Sequence, residues 1–315
     1  MKRFEVFILF VFVFQNLVRA EEPAYLFSYF TGRGEDGLHL ACSYNGLQWE
    51  ALNKGESVLA PEIGKDKLFR DPCILQGPDG IFHMVWTTGW WDRHIGYASS
   101  DDLIHWSEQK IIPVMEQEPE AKNCWAPELF YDEENREFLI FWASTIPGRH
   151  SEIAESEREK GLNHRIYFTT TKDFANFAPT RLFFNPDFSV IDATLLKYKQ
   201  EYVMFLKNEN PNPPEKNIRY TLSPKASGPY PTSVSEPITG DYWAEGPTAL
   251  PIGEYIYLYF DKYRDHRYGT LRTKDLTTWE DVSDKVSFPQ GIRHGTAFVV
   301  SLPFVDQLRK SFSNP

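Results

Sequence analysis

Five short strings place a charged or small residue just before an apolar run: Arg70-Asp71-Pro72-Cys73-Ile74, Trp125-Ala126-Pro127-Glu128, Val190-Ile191-Asp192-Ala193, Ala244-Glu245-Gly246-Pro247 and Arg293-His294-Gly295-Thr296. The residues immediately before the apolar runs are Asp71, Ala126, Asp192, Glu245 and His294. If the runs are equivalent strands, three carboxylates and a histidine converge on one ring. Gathering like charges costs free energy and raises at least one pKa; stability alone does not call for it. The chemistry it suits is hydrolysis of a glycosidic bond. One protonated carboxyl donates to the leaving oxygen, a second, ionised, activates water from the opposite face, and a third holds the first in its protonation state. An inverting acid and base stand roughly 6.5–9.5 Å apart to admit that water. A single Asp or Glu in a turn is most often a cap or plain surface, so the argument rests on recurrence at one register position in three repeats.

Trp125, Trp243, Trp90 and Trp91 lie near these strand ends, where an indole can stack on the C–H face of a sugar. Trp86, Trp106, Trp142 and Trp279 read as core. Arg293, Arg70 and Glu128 flank the ring, as binders of hydroxyls or as neutralising partners of the carboxylates.

The elements that must position these residues recur along the chain. An aromatic strand is followed by a second strand and then by an Asp/Asn turn ending in an aromatic. Examples are Phe82 to Trp86, Ile95 to Ala98 and Asp102 to Trp106, and Tyr255 to Tyr259, Tyr268 to Leu271 and Asp275 to Trp279. Similar units begin at Tyr25, Phe138 and Tyr202, the last with a degenerate third element around Pro229. Units two to five are each preceded by a short apolar strand. The strand missing from the first unit appears at the far end of the chain, from Gly295 to Val300. Four-stranded units repeated about an axis make a β-propeller. The expectation is an all-β, five-bladed propeller whose ring is closed by the C-terminal strand, leaving no open sheet edge. Ser151 to Gly161 reads as a charged helix or loop inserted in the third blade, and Asn208 to Asn217 as a long loop with three prolines.

Composition agrees with this reading and removes other classes. Aromatic residues make up 16% of the 315 residues, with 22 Pro and 19 Gly, a mixture that favours strands and turns over long helices. A net charge of −11 argues against nucleic-acid binding and against docking on an anionic membrane. Lys2 and Arg3 precede an apolar run too short to span a bilayer, so residues 1–20 read as a secretory signal cleaved after Ala20. Residues 21–315 then form a single catalytic domain, secreted or periplasmic. Cys42, Cys73 and Cys124 are odd in number and lack zinc spacing, so they read as buried small residues rather than a disulfide framework.

The five strings, in order and spanning nearly the whole chain, resemble glycoside hydrolase family 43. The resemblance implies a carbohydrate substrate and a glycosidase cleaving terminal α-L-arabinofuranosyl or β-D-xylosyl groups, with galactofuranosidase and galactanase also in the family's range. It implies Asp71 as general base, Glu245 as general acid and Asp192 as pKa modulator, with Trp125, Trp243, Trp90, Arg293 and His294 around the sugar. It implies no required cofactor, and a structural calcium ion or water in the channel near His294. About fifty residues of the expected mature chain precede Asp71, more than is usual in the family. Arg70 before Asp71-Pro72 is similar to a motif of fructan-cleaving propellers, but their N-terminal Asn-Asp-Pro-Asn-Gly string is missing, which makes a fructosidase the weaker reading. No basic phosphate site is visible for a phosphorylase. Intact carboxylates at all three positions argue against a non-catalytic carbohydrate-binding propeller.

Overall fold

The computed structural model describes residues 22–150 and 161–313. The signal reading and all but Gly161 of the charged insertion fall outside the described residues. Five antiparallel sheets surround a central axis. Blade 1 contains β1 (Pro23–Tyr29), β2 (His39–Ser43) and β3 (Glu50–Ala51). Blade 2 contains β4 (Arg70–Gln76), β5 (Phe82–Thr87), β6 (Ile95–Ser100) and β7 (Lys110–Ile112). Blade 3 contains β8 (Trp125–Asp132), β9 (Glu137–Ser144), β10 (Arg165–Thr171) and β11 (Arg181–Phe184). Blade 4 has three strands, β12 (Val190–Tyr198), β13 (Glu201–Asn208) and β14 (Ile218–Ser223). Blade 5 contains β15 (Glu245–Ile252), β16 (Tyr255–Lys262), β17 (Arg267–Thr273) and β18 (Glu280–Asp281).

The ring closes as the repeat predicts. β19 (Thr296–Ser301) pairs antiparallel with β1, from Pro23 opposite Ser301 to Ser28 opposite Thr296, and becomes the inner strand of blade 1. The inner strands β19, β4, β8, β12 and β15 touch in that order around the axis. Gly295 is required just before β19, because a Cβ there would collide with the Ser28 carbonyl. The missing fourth strand of blade 4 falls where the third element degenerates: the chain after β14 holds Pro224, Pro229, Pro231 and Pro237, and proline cannot donate to a ladder.

Burial follows the blade interfaces. Among the described residues, five apolar clusters occupy the five seams. Trp86 and Trp142 are fully buried in two of them, and Trp106 and Trp279 pack against the clusters, matching their core reading. The three cysteines are free and buried.

One element was not anticipated. After β19 the chain turns into α1 (Leu302–Ser313), with Val305 and Leu308 buried against blades 1 and 2. Ser301 accepts a hydrogen bond from the Phe304 N–H at 3.4 Å, and Pro303 sits in the first turn, where its missing N–H costs nothing. Burying Val305 and Leu308 stabilises this closure by roughly 1.5–3 kcal/mol per side chain.

Candidate active site

Four of the five inner strands begin with the same backbone irregularity. In β4, Arg70 pairs with Thr87 and Cys73 with Val85, so two residues face one across the ladder. The same bulge lies between Trp125 and Glu128, between Ile191 and Thr194, and between Glu245 and Thr248. Its first extra residue takes left-handed φ each time: 51° at Asp71, 47° at Ala126, 53° at Asp192 and 58° at Gly246. That region costs a non-glycine residue about 1–3 kcal/mol, and bulges re-aim side chains beside functional sites.

The register corrects one element of the sequence reading. Asp71, Ala126 and Asp192 do occupy one equivalent position, but Glu245 does not. Gly246 takes the bulge position in blade 5, while Glu245 pairs with Asp261 as Arg70 pairs with Thr87. Apolar residues align equally well with either frame, so hydrophobicity alone could not separate them. Moreover, Asp71, Asp192 and Glu245 lie inside their strands rather than ahead of them.

Despite this offset the three carboxylates meet. Asp71, Asp192, Glu245 and His294 line one cavity of about 150 Å³, walled also by Arg70, Trp90 and Trp125. Asp71 accepts the Thr87 hydroxyl at 2.9 Å and faces His294 Nδ1 at 3.3 Å. Burial pushes its pKa up, but His294, Arg70 and Thr87 outweigh it and bring the carboxyl down to about 2. Asp192 accepts the Gly246 N–H at 3.0 Å and stands 4.0 Å from His294 Nδ1. Its burial dominates, and with Glu245 and Asp71 nearby its pKa is raised, against the pull of His294 and Lys207. Glu245 shows the opposite balance: burial pushes upward, but Lys207, Arg293 and His294 together lower it. Lys207 donates to one of its oxygens at 3.0 Å and Arg293 to the other at 3.2 Å.

His294 is the hub of this arrangement. Burial disfavours its charge, yet Asp192, Asp71 and Glu128 raise it to about 9. A calcium ion takes six to eight oxygen ligands. Among the described residues no group of three or more His, Cys, Asp or Glu side chains is arranged for a metal, and the His294 ring is turned to Asp71 instead. Glu128 lies two residues further along its inner strand. It accepts the hydroxyls of Thr194 and Thr296, each at 3.0 Å, and thereby ties blades 3, 4 and 1 across the channel. Burial raises its carboxyl to about 7.

The tryptophans divide. Trp125 donates its indole N–H to the Trp90 carbonyl at 2.9 Å, and the two rings meet nearly edge to face. The Arg70 guanidinium is stacked 4.5 Å from the Trp90 ring and 4.6 Å from Phe30. Trp243 does not line the cavity. Its ring packs under the Arg264 guanidinium at 3.8 Å and beside Tyr263, in a groove shared with Pro214, Asn217 and Tyr242. Trp91 is exposed. Arg293 acts from outside the lining, bridging Glu245 to Asp261, to which it donates at 2.6 Å.

Sequence reading overlooked the residues opposite the bulges. Thr87, Ala143, Lys207 and Asp261 form a second register, on the second strand of each blade. Three of the four touch the site. The available signal was Lys207, a cation continuing the apolar run Tyr202 to Leu206.

Comparison with known proteins agrees with this architecture. The family model described as "Probable glycosyl hydrolase domain", a relative of glycoside hydrolase family 43, matches residues 21–303. An α-L-arabinofuranosidase of Bifidobacterium longum subsp. longum is 24% identical over an alignment of 180 residues that covers 51% of this chain and 17% of that protein. The chain therefore spans about a sixth of that curated relative. The crystal structure of an α-L-arabinofuranosidase from Lactobacillus brevis superposes with a TM-score of 0.52 at 17% identity, covering 68% of this chain and 72% of that one. A thermostable family-43 glycoside hydrolase gives 0.54 at 16% identity, covering 73% and 82%. An exo-β-1,3-galactanase from Clostridium thermocellum gives 0.51 at 13%, covering 67% and 47%. These structural likenesses establish the five-bladed fold. The match over nearly the whole chain establishes the family: the chain belongs to the glycosyl hydrolases of glycoside hydrolase family 43 and its relatives.

Proposed function

We propose that the protein is a secreted, inverting exo-glycosidase that removes a terminal α-L-arabinofuranosyl or β-D-xylosyl unit. The observation that carries this is Asp71, which accepts the Thr87 hydroxyl and faces His294 in the cavity it shares with Asp192 and Glu245. Asp71 is held ionised by His294, Arg70 and Thr87, as a general base must be. In the proposed step Asp71 takes a proton from water, whose oxygen bonds to the anomeric carbon. The bond from that carbon to the leaving oxygen breaks, and Glu245 donates the proton that oxygen needs. Asp192, bonded to the backbone N–H next to Glu245, orients the acid. Trp90 and Trp125 offer an aromatic corner for the sugar. A cavity of about 150 Å³ favours one terminal unit over an internal stretch of chain. The name of the curated relative supports arabinofuranose first.

The test is a panel of aryl α-L-arabinofuranoside, β-D-xyloside and β-D-galactofuranoside, with proton NMR of the first-formed anomer. Release of arabinose or xylose with inverted configuration is expected. Retained configuration contradicts the water-activating role of Asp71, and cleavage of the galactofuranoside alone contradicts the pentose assignment.

A further inference from the structure

Resting on the reading of Glu245 as the acid, one feature of the site stands against that role. Both oxygens of Glu245 accept from cations, Lys207 at 3.0 Å and Arg293 at 3.2 Å. A carboxyl so clamped is an anion, whereas an acid must carry a proton. The surroundings supply a way out. Lys207, at the end of β13, is 2% exposed and stands 2.7 Å from a second carboxylate, Glu209. Glu209 begins the proline-containing loop that follows β13. Its other oxygen accepts from Lys216 at 2.7 Å, and Lys216 is 1% exposed. Two buried lysines on one glutamate beside a reaction cavity cost desolvation energy that blade packing does not require.

We propose that Lys207 and Glu209 form a charge switch for Glu245: Lys207 is shared between the two carboxylates, and binding of a glycoside oxygen at Glu245 shifts the ion pair wholly to Glu209, so that Glu245 takes a proton from solvent. Glu245 passes that proton to the leaving oxygen and returns to an anion, to which Lys207 swings back. Lys207 and Glu209 are thus positioning residues. The other charged groups facing Glu245 do not move with the switch. They are Arg293 and His294 ahead of β19, Asp261 of β16 through Arg293, and Asp192 of β12. Asp71 of β4 lies beyond His294.

The two halves of the switch act in opposite senses, which gives the test. Carbon-13 NMR of glutamate carboxyls in the full chain, with Glu245 assigned by its loss in Glu245→Gln, reads the titration without substrate. Removing the cation in Lys207→Met should raise the Glu245 pKa by about 1–3 units. Glu209→Gln leaves Lys207 to Glu245 alone and should lower it. Lys207→Arg keeps the charge and should restore the wild-type titration; should Lys207→Met not fold, Glu209→Gln against Lys207→Arg keeps the contrast. The alkaline limb of kcat/KM on the aryl α-L-arabinofuranoside should move with the carboxyl, upward for Lys207→Met and downward for Glu209→Gln. Shifts in one direction for both, or none for either, overturn the switch. Full turnover by Glu245→Gln instead overturns the assignment of the acid, independently of where Glu245 titrates.

Discussion

The outer turns and the inner strand starts of the blades are both repeated, yet they differ in what is repeated. At the outer turns the side chains recur with the backbone. Asn45, Asp102, Asp173 and Asp275 each accept two backbone N–H groups through Oδ1, from the residues two and three positions later. Ser43, Ser100, Thr171 and Thr273 each cap the N–H three positions on, where Gly46, Leu103, Phe174 and Leu276 take left-handed φ. At the inner ends the backbone recurs, with four bulges at nearly one φ, while the side chains differ: Asp, Ala, Asp and Gly. An outer turn closes its own blade and meets a neighbour, as Phe174 stacks on His83 and Tyr97 and as the Gly46 carbonyl accepts from Tyr259, but it takes no part in the cavity, so each copy needs the same chemistry. The inner ends share one cavity, and a single asymmetric reaction needs a different group from each.

If that contrast is right, inner-end changes should damage activity and outer-turn changes should not. The largest effect is expected for Asp71→Asn, with kcat lowered by about 10²–10⁴ whatever the leaving group; steady-state kinetics across aryl substrates checks this. Next is Gly295→Ala, whose Cβ meets the Ser28 backbone where the ring closes. Overpacking of this kind costs about 1–3 kcal/mol, read as a lower midpoint in urea unfolding. A smaller effect follows from His294. Its pKa rises from 6.5 to about 9 on folding, so its contribution is complete below pH 6.5 and is lost as pH rises through 9. Thermal unfolding should show that loss in the wild type, and His294→Gln should flatten it. The smallest effect is for Asp102→Ala on an outer turn: a fall in Tm of no more than about 4 °C, with kcat/KM unchanged.

The propeller was legible because strand alternation, Asp/Asn turns and the displaced first strand are local signals repeated several times. The degenerate element at Pro229 even marks the three-stranded blade. α1 was written in the spacing of Leu302, Val305 and Leu308 but stood outside the repeat, where attention to blades gave it no place. Within the site, Asp71, Asp192, Glu245 and His294 were found from type and register, although Glu245 sits one residue out of that register. Lys207, Glu209 and Asp261 were not, because their roles arise from pairing across strands and from burial, which a single strand does not display. Trp243 was placed near the sugar by sequence proximity to Glu245, but its ring turns to Arg264.

The central claim is that the inner ends divide the labour between a base on blade 2 and an acid on blade 5. Leaving-group dependence in Glu245→Gln tests it most directly. With Glu245 as the acid, the variant should lose about 10²–10⁴ in turnover on glycosides with poor leaving groups and retain far more activity on those whose leaving group departs without a proton. Equal losses across the series, or unchanged activity throughout, would contradict it.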